Sequence, residues 1–388
     1  LNELLQSQDV RLCECCGPPP AGGLYVHPAL STCFVRGRHG QLSVVRYRGP
    51  GAPAVRSLNV HELGRAASPA GAPRDLPHGP RWGGREELPT VTQVTVINEH
   101  CHRHDDPHNS LLCAATDDGG VHICRCWGCS GHEAVEVCAF QALSRRQNAA
   151  LCVHWLQPLA QLVAAGRDPH IRIWDLAREK MLRSFKHHSM HCVTCVTQSE
   201  PSEDGGGAGG PVFIGRGDGS LLAVDPRTQA GVVQSHRSRL DSVASITPGV
   251  RAEDGGRLGP HLVASADNAG VVDLWDVRAQ RTQACYQLGV STAADAGPCP
   301  EFERFPTLCQ ASPHGGLIAA VRLLPASPQV VTLTDLASGE RRLAMPLHRD
   351  VHPSAIGYHH SWSTTAVLAQ SGESSRLLLF SRGGRSHE

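Results

Sequence analysis

The stretch Ala164-Ala165-Gly166-Arg167-Asp168-Pro169-His170-Ile171-Arg172-Ile173-Trp174-Asp175 decides how the rest of the chain is read. Small residues lead into a polar turn holding Gly and Asp, and an alternating strand then closes on Trp-Asp. Gly and Asp supply the turn backbone that joins two strands as a hairpin. The phrase returns as Gly215-Arg216-Gly217-Asp218-Gly219-Ser220 followed by Leu221 to Asp225. It returns again as Ala264-Ser265-Ala266-Asp267-Asn268-Ala269-Gly270 followed by Val271 to Asp276, with Trp275 in place of Trp174. Asp175, Asp225 and Asp276 stand 50 and then 51 residues apart.

Working outward, an earlier copy turns at Asp117-Asp118-Gly119-Gly120 and runs from Val121 to Trp127. Weaker copies lie at Gln41 to Tyr47, Val330 to Asp335 and Leu377 to Phe380, so turns recur near 40, 120, 170, 219, 270, 328 and 374. An apolar stretch precedes each clear turn, such as Gln161-Leu162-Val163-Ala164. A further strand precedes that, such as Cys192 to Val196 or Asp241 to Ile246, and a fourth follows the Asp, as in Met181 to Phe185 and Thr282 to Tyr286. Each unit therefore reads as four short antiparallel strands.

One such sheet cannot bury both its apolar faces. Radial stacking of the units buries them and leaves only short edges. A repeat of this kind with a Trp-Asp ending is the signature of a WD40 propeller, stretched here by insertions. The expected fold is all-β: a seven-bladed propeller over 24–382, preceded by a lead-in over 1–23 that is a candidate closing strand, and followed by a tail over 383–388. Residues 49–90 read as an inserted loop and 201–210 as a disordered one, rich in Ser, Glu, Asp and Gly.

Composition narrows the function. Lys+Arg 36 balances Asp+Glu 36, which argues against duplex binding, since that usually needs a basic excess. No apolar run approaches the roughly 18 to 20 residues of a membrane-spanning helix. Gly 40 and Pro 27 fit a turn-rich chain. The 16 cysteines, several inside apolar runs, read as reduced core thiols of a cytosolic protein. The chain starts at Leu1 without a basic-then-apolar leader, which suggests a processed product or a fragment of something longer.

The order of segments resembles the C-terminal WD40 region of the Raptor family, scaffold subunits of target-of-rapamycin (TOR) complex 1. The residues that carry the resemblance are Leu111 to Gly119, Ile171 to Asp175 with Arg178-Glu179, Ser189 to Thr197, Gly215 to Ser220 with Asp225-Pro226-Arg227, Val26-His27-Pro28 and the run to Tyr47, and His359-His360-Ser361-Trp362. The resemblance covers about 24–382. It departs from the family at Arg125-Cys126-Trp127-Gly128, at Pro169, and in the sixth unit between Phe302 and Asp335. It implies a non-catalytic scaffold with protein partners among the TOR kinase complex subunits, and a caspase-like domain and helical solenoid upstream. It further implies a cytoplasmic location, held peripherally at a lysosome or vacuole surface through partners. It implies neither nucleic acid nor membrane insertion, and no cofactor.

Gly-x-Ser-x-Gly, His-Glu-x-x-His and the P-loop pattern are absent from the sequence. Cys124, Cys126, Cys129 and His132 pack four zinc-type ligands into nine residues, but Cys124 and Cys126 share one side of an expected strand, as core residues would. Cys192-x-x-Cys195 has the spacing of a redox pair but sits in a strand, without a cause for a low thiol pKa. His188, His236 and His348 stand before expected strands, with Asp241 a loose partner for one of them. Asp118, Asp168, Asp218 and Asp267 read as turn residues bonding nearby backbone, and Trp174, Asp175, Asp225, Trp275 and Asp276 as blade residues. The rival readings are an unrelated WD40 adaptor, such as a ubiquitin-ligase substrate receptor or coat component, and a metal-bearing or hydrolytic propeller.

Overall fold

The computed structural model describes residues 6–11, 23–26, 32–47, 54–63, 89–97, 111–125, 135–143, 150–198, 210–249, 261–288, 306–311, 316–323, 329–359 and 364–381, apart from a few turn positions within them. In chain order the strands begin with β1 (Gln6–Arg11) and a first sheet of β2 (Leu24–Val26), β3 (Thr32–Arg36), β4 (Gln41–Arg46) and β5 (Ala54–Asn59). The second sheet is β6 (Val91–Ile97), β7 (Leu111–Thr116), β8 (Gly120–Arg125) and β9 (Val135–Gln141). The third is β10 (Cys152–Leu156), β11 (Gln161–Ala165), β12 (His170–Asp175) and β13 (Lys180–Lys186). The fourth is β14 (Val193–Gln198), β15 (Val212–Arg216), β16 (Ser220–Val224) and β17 (Val232–Arg237). The fifth is β18 (Val243–Pro248), β19 (Leu262–Asp267), β20 (Val271–Asp276) and β21 (Arg281–Gln287). The sixth is β22 (Thr307–Ala311), β23 (Leu317–Arg322), β24 (Val330–Asp335) and β25 (Arg341–Pro346). The seventh takes β26 (His352–His359), β27 (Thr364–Ser371) and β28 (Ser374–Ser381), and its outer place is filled by β1 from the other end of the chain.

The seven-bladed propeller expected from the repeats is the fold observed. The recurrent turns that are described join the second and third strands of one sheet, as at 39–40 in the first blade, 117–119 in the second and 217–219 in the fourth. The first strands of neighbouring sheets approach one another from the second blade to the seventh, β6 meets β3 of the first blade, and β26 meets β2 to close the ring. The lead-in is part of that closure: Gln6 to Arg11 pair antiparallel with Ser381 to Arg376 of β28. Residues 49–90 contain β5, the outer strand of the first blade, so the segment is not all loop as expected. Leu58, the one buried apolar side chain of β5, gives only a weak pattern. Of 201–210 only Gly210 is described, and 382–388 lies outside the described residues.

The core explains why the middle strands read as continuous apolar runs. Each lies between two neighbours, so both faces are covered. In β11, Leu162 and Ala164 pack toward the second blade while Val163 and Ala165 pack toward the fourth. In β27, Ala366 and Leu368 face the first blade and Val367 and Ala369 the sixth. The result is one apolar cluster at each blade-to-blade junction.

The outer strands follow another rule. Their penultimate residue turns inward onto the next blade: Leu58, Phe140, Phe185, His236, Tyr286 and Met345. Phe140 lies 4.7 Å from the Trp174 ring, and Tyr286 Oη donates to the Leu336 carbonyl at 3.0 Å. Phe185 fits beneath Gly231, which has φ +69° and where an added Cβ would fall 2.1 Å from the Phe185 ring. Gly231→Ala thus combines a left-handed backbone with an overpacked junction, and about 3 kcal/mol of stability should be lost. A urea unfolding midpoint equal to wild type would refute this account of the junction.

Candidate functional site

The residues singled out in the sequence fall on two rims of the ring. At the turn between second and third strands, a carboxylate accepts from the amide two residues on: Asp118 from Gly120 (3.1 Å), Asp168 from His170 (3.0 Å), Asp218 from Ser220 (3.1 Å) and Asp267 from Ala269 (2.9 Å). Asp267 also accepts from Val271 at 2.8 Å. Gly219 completes the fourth-blade turn with φ +77°, a conformation a side chain resists. At the opposite rim, Asp175 accepts from the Arg178 amide, Asp225 from Arg227, and Asp276 from Arg278 and Ala279. The structure thus puts these aspartates in turns, each holding its own backbone.

The charges in the turns differ in environment. Burial works against the Asp168 carboxylate, but hydrogen bonds from Arg172 (2.8 Å) and His170 outweigh it and hold its pKa below the ordinary 3.8. At Asp267 burial dominates and the pKa is raised. A depressed folded-state pKa stabilises the fold above the ordinary carboxyl range, and that contribution is lost as pH falls through the lower folded value. Asp168→Asn should therefore shrink the loss of urea resistance on going from about pH 5 to about pH 3, although other acids remain. An unchanged acid dependence would contradict the assigned role of the Arg172 and His170 hydrogen bonds.

The densest polar constellation joins the fourth and fifth blades. Asp273, in the middle of β20, is wholly buried. Ser238 Oγ donates to its Oδ2 at 2.6 Å, and His236 Nε2 lies 3.1 Å from the same oxygen. The His236 ring stacks on Trp275 at 5.0 Å and 6°, and Phe213 meets Trp275 edge-on at 6.2 Å. The sequence offers Asp241 as a loose histidine partner. For His236 the structure brings Asp273 instead, while the Asp241 amide donates to Asp267. A signal was present: Val271-Val272-Asp273-Leu274-Trp275 places a carboxyl in a buried strand, which demands partners. His348 is exposed beside Asp350 at 3.3 Å, and His188 lies outside the described residues.

A collar of inner-strand side chains completes the frame, and the sequence reading missed it. Thr92 donates to the Leu151 carbonyl at 2.9 Å, Gln93 accepts from the Val153 amide at 2.7 Å, and Thr194 donates to the Val243 carbonyl at 2.5 Å. Ser245 accepts from the Ala311 amide at 3.2 Å. Each bond crosses from one blade to the next. Polar side chains on otherwise apolar inner strands were the only available hint.

Of the four candidate zinc ligands, Cys124 is fully buried in β8, and Cys126, Cys129 and His132 lie outside the described residues. Among the described residues no group of three or more His, Cys, Asp or Glu is placed to hold a metal ion. Burial pushes Cys152 and Cys309 up to about 12 and Cys195 higher still, which makes these thiols poor nucleophiles. Among the described residues no helix is long and apolar enough to cross a membrane.

Comparison with known proteins adds identity to this geometry. No family model matches the chain. It is 29% identical over 199 residues to Regulatory-associated protein of TOR 1 of Arabidopsis thaliana, covering 49% of this chain and 13% of that protein. It is 29% identical over 198 residues to Target of rapamycin complex 1 subunit mip1 of Schizosaccharomyces pombe, covering 48% and 13%. The solved Raptor of Chaetomium thermophilum superposes with a TM-score of 0.67 and 18% identity, over 98% of this chain and 29% of that one. The matches thus span a small part of each relative's length, and the likeness to the solved structure concerns the fold. The chain carries a WD40 propeller similar to that of the Raptor proteins.

Proposed function

We propose that the chain is a non-catalytic scaffold of a TOR complex 1 type of assembly, contributing a rigid protein-contact surface that helps position substrates and regulators for the kinase. The observation that supports this best is sequence likeness, across about half the chain, to one protein named as a TOR complex 1 subunit and one named as a regulatory associate of TOR. The geometry agrees with it. The turn aspartates hold their own hairpins, and the Asp273 cluster and the inner collar hold neighbouring blades together. A stiff frame of this kind presents loops and edges to partners. The location in this reading is cytoplasmic, with attachment at a lysosome or vacuole surface through partners.

The test is a competition. Purified chain is added in excess to a TOR complex 1 kinase reaction. The expected result is a several-fold rise in KM for a whole-protein substrate, with kcat on a short peptide unchanged. An unchanged KM for the whole-protein substrate would overturn the reading, as would a parallel fall in peptide turnover.

A further inference from the structure

Five outer strands share an irregularity. In blades two to six the pairing of third and fourth strands shifts by one near the start of the outer strand. The extra residue is Val137, Leu182, Val233, Gln283 and Arg342 in turn, since Ile123 pairs Cys138 while Cys124 pairs Glu136, and likewise in the others. A bulge adds twist and disrupts pairing at an edge, which suits an outer strand. It leaves the extra side chain exposed in every blade. Gln283 and Arg342 therefore show what the backbone tolerates there, and nothing in the fold demands an apolar residue.

Yet three successive blades carry one. Val137 is 50% exposed, Leu182 40% and Val233 51%, and Met181 beside Leu182 is 47% exposed. With Val55 on the first blade's outer strand, these are the exposed large hydrophobics among the described residues, and all five lie on the outer edges of blades one to four. On these outer strands the exposed charged side chains, among those described, are cationic: Lys180, Arg183, Lys186 and Arg237, with exposed Arg46 and Arg125 ending the strands paired to β5 and β9. Val137, Leu182 and Val233 hold the same bulge position on successive blades, so they form a row along the rim rather than a random scatter of single apolar residues.

We propose that the outer edges of blades one to four dock an acidic protein segment with interspersed apolar side chains. Its apolar groups would cover Val137, Met181, Leu182 and Val233, and its carboxylates would face the surrounding Arg and Lys. A second copy using the same flank would set cation against cation. A flat anionic bilayer would meet this convex arc one blade at a time, while an elongated protein segment can follow it. The proposal rests on the reading of the propeller as a protein-contact platform and gives that platform a location.

The probe is a fluorescein-labelled 16-residue peptide built from repeated Glu-Leu-Glu-Ser, titrated with the whole chain and followed by anisotropy. Saturable binding is expected. It should weaken at least tenfold in the triple variant V137Q/L182Q/V233Q, and as much when Lys replaces Glu or Ser replaces Leu in the peptide. Glutamine already stands at the fifth-blade bulge, so the variant should melt like wild type by circular dichroism. Absence of saturable binding, or binding indifferent to the triple variant, overturns the proposal. So does binding to phosphatidylserine vesicles, or dimerisation by sedimentation, that the triple variant abolishes while the peptide stays unbound. Capture of purified TOR complex 1 on immobilised chain separates the two claims. Equal capture by wild type and triple variant removes this surface and leaves the platform reading standing, and no capture by either counts against the platform itself.

Discussion

Asp273→Ala is expected to cost the ring about 2–6 kcal/mol, since two buried groups lose their acceptor. The carboxyl is wholly buried and holds Ser238 at 2.6 Å and His236 at 3.1 Å. Its loss leaves a buried hydroxyl and an imidazole without their acceptor, each costing about 1–3 kcal/mol of desolvation. His236 also loses the contact that holds it flat on Trp275. Asp273→Asn keeps an acceptor and should cost clearly less. Urea unfolding of wild type, both variants, His236→Ala and the His236→Ala/Asp273→Ala double variant measures the coupling. Additive effects of the two alanine changes would contradict a shared junction between the fourth and fifth blades.

Deleting residues 1–11 should have an effect of similar or larger size. The deletion removes β1, whose six residues pair along β28. At about 1 kcal/mol for each net hydrogen bond, roughly 5 kcal/mol is at stake. The seventh blade would then end on β28, an eight-residue strand carrying the run Leu377-Leu378-Leu379-Phe380. An uncovered edge of that kind pairs with other chains. The truncated protein should therefore melt earlier and aggregate, and a synthetic peptide of residues 1–11 should partly restore its melting temperature. A truncated chain as stable and monomeric as the whole one would show that β1 does not close the ring.

Much of this architecture was legible in the residues. The Gly-Asp turns and Trp-Asp strand ends mark the hairpins because turn backbone and strand sterics act locally. The runs Leu162 to Ala165 and Ala366 to Ala369 announced strands buried on both faces. Outer strands such as Ala54–Asn59 were harder to see, since only the penultimate residue faces a neighbour and the rest meet water. The bonds between blades were hidden for another reason. Asp273 and Ser238 are 35 residues apart and Thr194 and Val243 are 49 apart, so their pairing depends on how whole sheets stack. The aspartates visible as turn residues serve their own loops, while the junctions rest on polar groups that local pattern does not reveal.

The central claim, that this propeller belongs to a TOR kinase assembly and acts there by contact, is tested most directly by its native company. The protein would be tagged at its own locus, purified gently and analysed by quantitative mass spectrometry. The account predicts TOR kinase among the recovered proteins in near-equal molar amount to the tagged chain. Recovery of a ubiquitin ligase or vesicle-coat complex in that amount, with TOR kinase at background, would contradict it.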